Sequence, residues 1–439
     1  MSGNLAALTG FLALILLIGI RMPIGMSMLV VGIGGYLSMS GLLPFLAYMK
    51  TTPYFLFANY TITVIPLFVL MGALAEQGGL ARDLFTAARA CLGHRKGGLA
   101  MAVIGACTGF GAICGSSVAT TATFGRAALP ELQRYGTAGS LSTGTIAAGG
   151  TLGILIPPSV VLVVYAITTE QNIAKLFQAA LIPGLLAALF YCLAIAVVVR
   201  RRPHLAPVLP RVPWPERLPA LVAIWPTVAV AVVVLGGIYG GVFTPTEGAS
   251  VGAIAMLLIG LVTRKLGWDG LVRSLRITAE TTAMIFLILL GGEVFNAFLA
   301  LTQMPSSLAQ WISGLGLAPT LVLALLLLSY VVLGAVMDEL AMIILTLPVF
   351  FPLVQALDFG IPPDEVALWF GILVLVVVGI GLTAPPIGLN VFVIGAIARD
   401  VPLRETYRGV MPYVAADVLR LLLIFFVPAV AVGLVRWMG

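Results

Sequence analysis

The sequence predicts an all-α polytopic membrane protein, built as an inverted repeat with two re-entrant helical hairpins and two broken helices. Three observations carry this. Of 439 residues, 61% are hydrophobic and only 9% charged, too few charges to cover a soluble surface. The basic residues cluster beside apolar runs, in the pattern that a positive-inside bias creates. And two apolar segments are interrupted in similar words, GTLGILIPPS at Gly150–Ser159 and GLTAPPIGLN at Gly381–Asn390.

Taken in order, spans are expected near 4–20, 23–43, 61–78, 141–167, 176–199, 219–240, 246–263, 277–303, 364–396 and 409–435. Each is about as long as a bilayer-crossing helix needs to be. The first is no cleaved signal: it lacks a basic leader, and Arg21 follows it where small residues would mark cleavage. With the amino terminus outside, nineteen of the 23 Lys and Arg fall on the cytoplasmic side. Lys50, Lys175 and Arg436 fall outside, and Arg420 lies within the last span. Both termini are therefore expected outside the cytoplasm.

The bias holds only if 98–130 enters and leaves on the cytoplasmic side and 319–354 on the outer side. Each is read as a hairpin of two half-length helices, with tips near CGSSVATTAT (Cys114–Thr123) and GAVMDELA (Gly334–Ala341). Non-helical backbone at that depth needs protein or a water-filled cavity around it. Read as ordinary spans, the two stretches would forfeit the charge bias. After each hairpin comes a proline-containing helix end (ALPEL, Ala128–Leu132; TLPVF, Thr346–Phe350) and then a span broken at Pro157–Pro158 or Pro385–Pro386. One copy starts inside and the other outside, the inverted repeat common in secondary transporters. The proline- and charge-rich stretch Arg200–Pro219 is a cytoplasmic connection between the halves.

A proline inside a helix removes a backbone hydrogen bond, and an unsatisfied carbonyl in hydrocarbon costs several kcal/mol. Two matched breaks make sense if the freed carbonyls coordinate a cation while half-helix amino ends attract an anion. The plain alternative is a pair of packing kinks. Gly149, Gly150 and Gly153 leave room at the first break, Gly381 and Gly388 at the second. Among the acids, Asp338 lies at the second tip, and an intramembrane carboxylate defaults to a functional candidate. Glu339 is expected to face an exit or a partner. Glu247, in FTPTEGAS, is expected to cap the helix that follows. Glu280 and Glu293 are separated by about 20 Å along one helix and take no ligand role. Asp417 and Arg420, three residues apart, are expected to pair.

Several classes are excluded. The four cysteines and two histidines show no metal spacing. The net charge of +6 reflects cytoplasmic loops, so no nucleic-acid partner is expected. The spans hold no His–Glu metal motif or Ser–His–Asp set, and no enzyme is expected.

The motifs resemble those of a family. IPLFVLMGALAEQGG (Ile65–Gly79), GHRKGGLA (Gly93–Ala100), the GSSVAT hairpin, GTLGILIPPS, GGVFTPTEGAS (Gly240–Ser250), the MDELA hairpin and GLTAPPIGLN occur in the order and spacing of the large membrane subunit of tripartite ATP-independent periplasmic (TRAP) transporters. The resemblance covers nearly the whole chain. It implies a sodium-coupled permease of elevator type, importing a small organic acid such as a C4-dicarboxylate through the bacterial inner membrane. It implies three partners besides the lipid bilayer: the organic acid anion, a periplasmic substrate-binding protein, and a small membrane subunit of about four helices, expected as a separate chain. The cofactors implied are sodium ions, about two or more, and no organic group.

In that family the sodium sites lie between each hairpin tip and the broken helix of the same repeat. Carried over, the first site is Cys114, Ser116, Gly153, Ile156 and Pro157. The second is Gly334, Gly381, Ala384 and Ile387, with Asp338 and Thr383 beside it. Backbone carbonyls would supply most ligands. Cys114 and Ala384 depart from the hydroxyl residues common there. Ser117, Thr120, Thr151 and Asn390 are the candidate substrate contacts. The chain divides accordingly into scaffold helices (1–97), a first repeat core (98–199), the linker (200–218), second scaffold helices (219–318), a second repeat core (319–408) and a carboxy-terminal helix (409–439). A stand-alone sodium-coupled anion symporter of related fold is the alternative reading.

Overall fold

The computed structural model describes residues 3–335 and 337–438, and all regular structure among them is helical. Val336, inside the expected second tip, lies outside the described residues. The chain opens with α1 (Gly3–Gly19) and α2 (Ile24–Ser40), each 17 residues, or about 25 Å at the helical rise. Then follow α3 (Leu42–Phe57), α4 (Val64–Gln77) and α5 (Leu80–Leu92). The first hairpin is α6 (Gly98–Cys114) and α7 (Ser117–Ala127), followed by the short α8 (Leu129–Arg134). The first broken span is α9 (Gly139–Leu155) and α10 (Val160–Thr168), bent by 43°. α11 (Ile173–Arg201) closes the first half.

The second half runs through α12 (Trp214–Tyr239), α13 (Pro245–Val262), α14 (Trp268–Thr302) and α15 (Met304–Gly314). Its hairpin is α16 (Pro319–Gly334) and α17 (Glu339–Gln355), and its broken span α18 (Pro363–Thr383) and α19 (Leu389–Ile397). α20 (Leu403–Phe426) and α21 (Ala429–Met438) end the chain. Among the described residues, seven helical stretches are long and apolar enough to cross a bilayer, and the bent pair α9–α10 makes an eighth. The other two expected spans, near 4–20 and 23–43, are α1 and α2, which at 17 residues are no longer than the hairpin helices α6 and α17.

The helices pack in two groups. α1, α2, α4, α12, α13 and α14 pack on one another, most extensively α14 on α2. The two hairpins, the two broken spans, α11 and α20 form the other group. At its centre α18 is buried from Val366 to Thr383 without interruption. Close approach there depends on small residues: a Cβ on Gly144 of α9 would meet the Gly409 backbone of α20.

Four local features differ from the sequence expectation. The first tip is only Gly115–Ser116, because Ser116 already caps α7. ALPEL forms a separate helix with Pro130 in its first turn, whereas Pro348 of TLPVF sits inside a continuous α17. α12 begins at Trp214, inside the expected linker. The last span is two helices, because Pro428 has no N–H with which to continue α20.

Candidate functional site

The first tip forms because Gly115 ends α6 in the left-handed region at φ 65°, which a glycine adopts freely. Ser116 then caps α7 by accepting from the Ala119 N–H at 3.4 Å. α9 stops at Leu155 for a chemical reason. Pro157 and Pro158 have no N–H, so the carbonyls of Gly153 and Ile154 lose their helical donors. The tip lies directly on this break. A Cβ on Gly115 would stand 2.9 Å from the Pro158 carbonyl oxygen, and one on Gly153 2.6 Å from that of Ser116. Of the first candidate set, Ser116 and Gly153 are thus in backbone contact, Ile156 and Pro157 form the break, and Cys114 ends the facing helix.

The second repeat does the same. Pro385 and Pro386 follow the end of α18 at Thr383 and deprive the Gly381 and Leu382 carbonyls of donors. A Cβ on Gly381 would stand 2.8 Å from the Gly334 backbone at the end of α16. Ala384 donates its N–H back to the Ile380 carbonyl at 2.7 Å. Two expected members are occupied. The Thr383 hydroxyl donates to Gly379 and Ile380 carbonyls of its own helix, both at 3.1 Å. The Ile387 carbonyl accepts from the Tyr407 hydroxyl. Both prolyl pairs carry a cis peptide bond.

Between the two tips and the first helix group lies a cavity of about 680 Å³. Its walls come from both tips, from α4 and α14, and from the α1–α2 turn. Arg21, Glu76, Asp338 and Glu339 bring charge to it. Arg126, at the end of α7, pairs with Glu76 at 2.6 Å and so ties the first hairpin to α4 beside the cavity. Asp338 is the amino cap of α17, accepting from the Leu340 N–H at 3.2 Å.

Glu339, expected at an exit or against a partner, is buried at the second tip. It is only 5% exposed, lines the cavity, and its Oε2 has no partner among the described residues. The turn at the tip aims the first residue of α17 inward. Two adjacent acids at a hairpin tip were the available signal.

The four candidate substrate contacts do not line the cavity. The Asn390 amide donates to Ser117 Oγ at 2.7 Å and to the Ala147 carbonyl at 3.1 Å, sealing α19 against α7 and α9. Thr120 donates to the Ser116 carbonyl at 2.7 Å, against Gly153. Thr151 turns away and shares a hydrogen bond of 2.9 Å with the Tyr191 hydroxyl. Ser116, Val118 and Ala119 present the first tip to the cavity instead.

The remaining acids fall as expected. Thr244 and Glu247 form a reciprocal capping box on α13. Glu280 and Glu293 are exposed on α14. Asp417 pairs with Arg420 at 2.7 Å, fully buried, and also accepts from Tyr191 at 2.6 Å. Among the described residues no group of three or more His, Cys, Asp or Glu could hold a metal ion. The donorless carbonyls of Gly153 and Gly381 and the acids Asp338 and Glu339 are the oxygen atoms the tips offer.

Comparison with known proteins adds to this geometry. The family model described as "Tripartite ATP-independent periplasmic transporter, DctM component" matches residues 11–430. A C4-dicarboxylate TRAP transporter large permease protein of Pseudomonas aeruginosa is 39% identical over 87% of this chain and 87% of its own length. The isethionate TRAP transporter permease protein DctMQ of Oleidesulfovibrio alaskensis is 31% identical over 97% of this chain, which spans 65% of that protein. The ectoine TRAP transporter large permease protein of Halomonas elongata is 31% identical over 85% of this chain and 86% of its own. Among solved structures, the YdaH transporter of Alcanivorax borkumensis matches with a TM-score of 0.62 over 89% of this chain and 91% of that one. At 17% identity this shows a shared fold. The named relatives are transport permeases, not enzymes.

Proposed function

Because the chain belongs to the DctM-component family of tripartite ATP-independent periplasmic transporters, a family of multi-pass large permeases, we propose that it imports a small organic acid through the bacterial inner membrane, driven by sodium. The substrate reaches it on a periplasmic binding protein, and a separate small membrane subunit completes the complex. Relatives named for C4-dicarboxylate, isethionate and ectoine move small molecules bearing a carboxylate or sulfonate, and this chain is assigned the same broad class.

One observation carries the reading: each hairpin tip touches the double-proline break of its own repeat, beside a cavity large enough for a small metabolite. The carbonyls stripped of donors at Gly153 and Gly381 would coordinate sodium, one ion per repeat. Asp338 and Glu339 would balance the charge near the second. The Ser116-capped amino end of α7 would face the acid group. The substrate would rest in the cavity against Ser116 and the second tip, and the buried Ser117, Thr120 and Asn390 would hold the tips in register.

The helix group holding hairpins and broken spans would slide past the other group, elevator fashion, carrying the site. If the arginine-rich ends mark the cytoplasmic side, both termini would be periplasmic and the cavity, which reaches Arg21 and Glu76, would open inward.

The test is sodium-driven uptake in proteoliposomes containing this chain, the small subunit and a binding protein loaded with the ligand found by thermal-shift screening. Uptake should need all three proteins and an inward sodium gradient. Uptake indifferent to sodium would refute the coupling. Full uptake by this chain alone would establish the stand-alone symporter.

A further inference from the structure

A second cavity, of about 520 Å³, lies between the start of α9, the end of α11 and the first three turns of α20. Arg201, Arg202 and Arg408 line it. All three are exposed, and none belongs to an ion pair among the described residues. One acid, Glu405, stands beside them. Leu141, Val198 and Met411 supply an apolar wall. Its floor is closed by the backbone contact of Gly409 with Ser140 and Gly144.

Depth decides what such a cavity meets. α11 has 29 residues, about 43 Å at the helical rise, against a hydrocarbon core of about 30 Å. Its arginine end therefore emerges in the headgroup layer, with Leu141, Val198 and Met411 beside it. Positive charge next to an apolar slot at that level matches one chemistry: a phosphate diester carried on acyl chains. We propose that this cavity is a binding site for an anionic phospholipid, its phosphate held by Arg201, Arg202 and Arg408 and an acyl chain lying along Met411 and Leu141. Basic recesses between spanning helices are suited to acidic headgroups, and guanidinium forks match phosphate oxygens. The lipid would bridge α11 and α20.

The probe is fluorescent phosphatidylglycerol bound to the delipidated full-length chain in detergent, read by anisotropy. Unlabelled phosphatidylglycerol should displace it. Phosphatidylcholine and a millimolar excess of inorganic phosphate should not. The exposed triple variant Arg201→Gln/Arg202→Gln/Arg408→Gln should bind about a hundredfold more weakly, from about fivefold per arginine near an anionic lipid. Met411→Trp keeps every charge but fills the slot, and should also weaken phosphatidylglycerol. Affinity within twofold of wild type in both variants would overturn the proposal. Displacement by inorganic phosphate would make the cavity a free-anion site, and equal displacement by phosphatidylcholine a groove without headgroup selection; either result also overturns it.

Discussion

Glu339 and Asp338 are neighbours with different work. Asp338 spends an oxygen on the cap of α17, and Asn can also cap. Glu339 is buried with an oxygen unpartnered among the described residues, an arrangement costing about 1–3 kcal/mol or more for a charged group. We expect Glu339→Gln to raise the melting temperature in sodium-free detergent while weakening the apparent sodium affinity of uptake roughly tenfold. Asp338→Asn should leave melting unchanged and shift the sodium affinity less. Melting curves and uptake against sodium concentration measure both; a lower melting temperature for Glu339→Gln would show that its charge is already compensated. Asp417 gives a second prediction. Its partner Arg420 is fully buried, so Asp417→Asn strands a cation and should destabilise by about 3–5 kcal/mol. Asp417→Leu with Arg420→Met should lose less than the single variant when unfolding is followed thermally.

At the scale of elements, the hairpins depend on glycines that admit a neighbouring backbone. Gly153→Ala and Gly381→Ala place a methyl against fixed backbone atoms of Ser116 and Gly334. Each should cost about 1–3 kcal/mol and stop uptake by lifting a tip off its break. Gly105, on α6 with open space around it, is the control: alanine there should be neutral or stabilising by about 1 kcal/mol. Equal uptake for Gly105→Ala and Gly153→Ala would remove the tip–break contact from the mechanism. Hairpins and broken spans were legible in the sequence because glycine, serine and proline interrupt apolar runs. α3, α5 and α15 were not. α5 carries Arg82, Asp83 and Arg89 and reads as a loop until packing on α6 shows its apolar face, Leu80, Leu84 and Ala87, to be buried.

At the scale of the whole molecule, Arg126 and Glu76 join the two helix groups beside the cavity. If the groups slide, this pair must part in each cycle. In a background lacking Cys91, Cys107, Cys114 and Cys192, joining Glu76→Cys and Arg126→Cys with a reducible bis-thiosulfonate cross-linker, long enough to replace the two side chains, should halt uptake, with recovery on reduction. A cross-link that forms and leaves transport intact would show that the two groups do not move apart there.

Composition, the arginine distribution and the paired prolines by themselves determined the membrane class, most of the spans, two hairpins and two breaks. These properties are local: hydropathy and hydrogen-bond chemistry act along a few turns of one chain segment. The tertiary structure alone decided that Glu339 points into the cavity, that Asn390 seals against Ser117, and that Thr151 turns to Tyr191 and not to a ligand. It also decided that the Ile387 carbonyl is taken by Tyr407. Each of these depends on which face of a helix meets which neighbour. In segments apolar on every side, periodicity carries no record of that choice, and only close packing makes it.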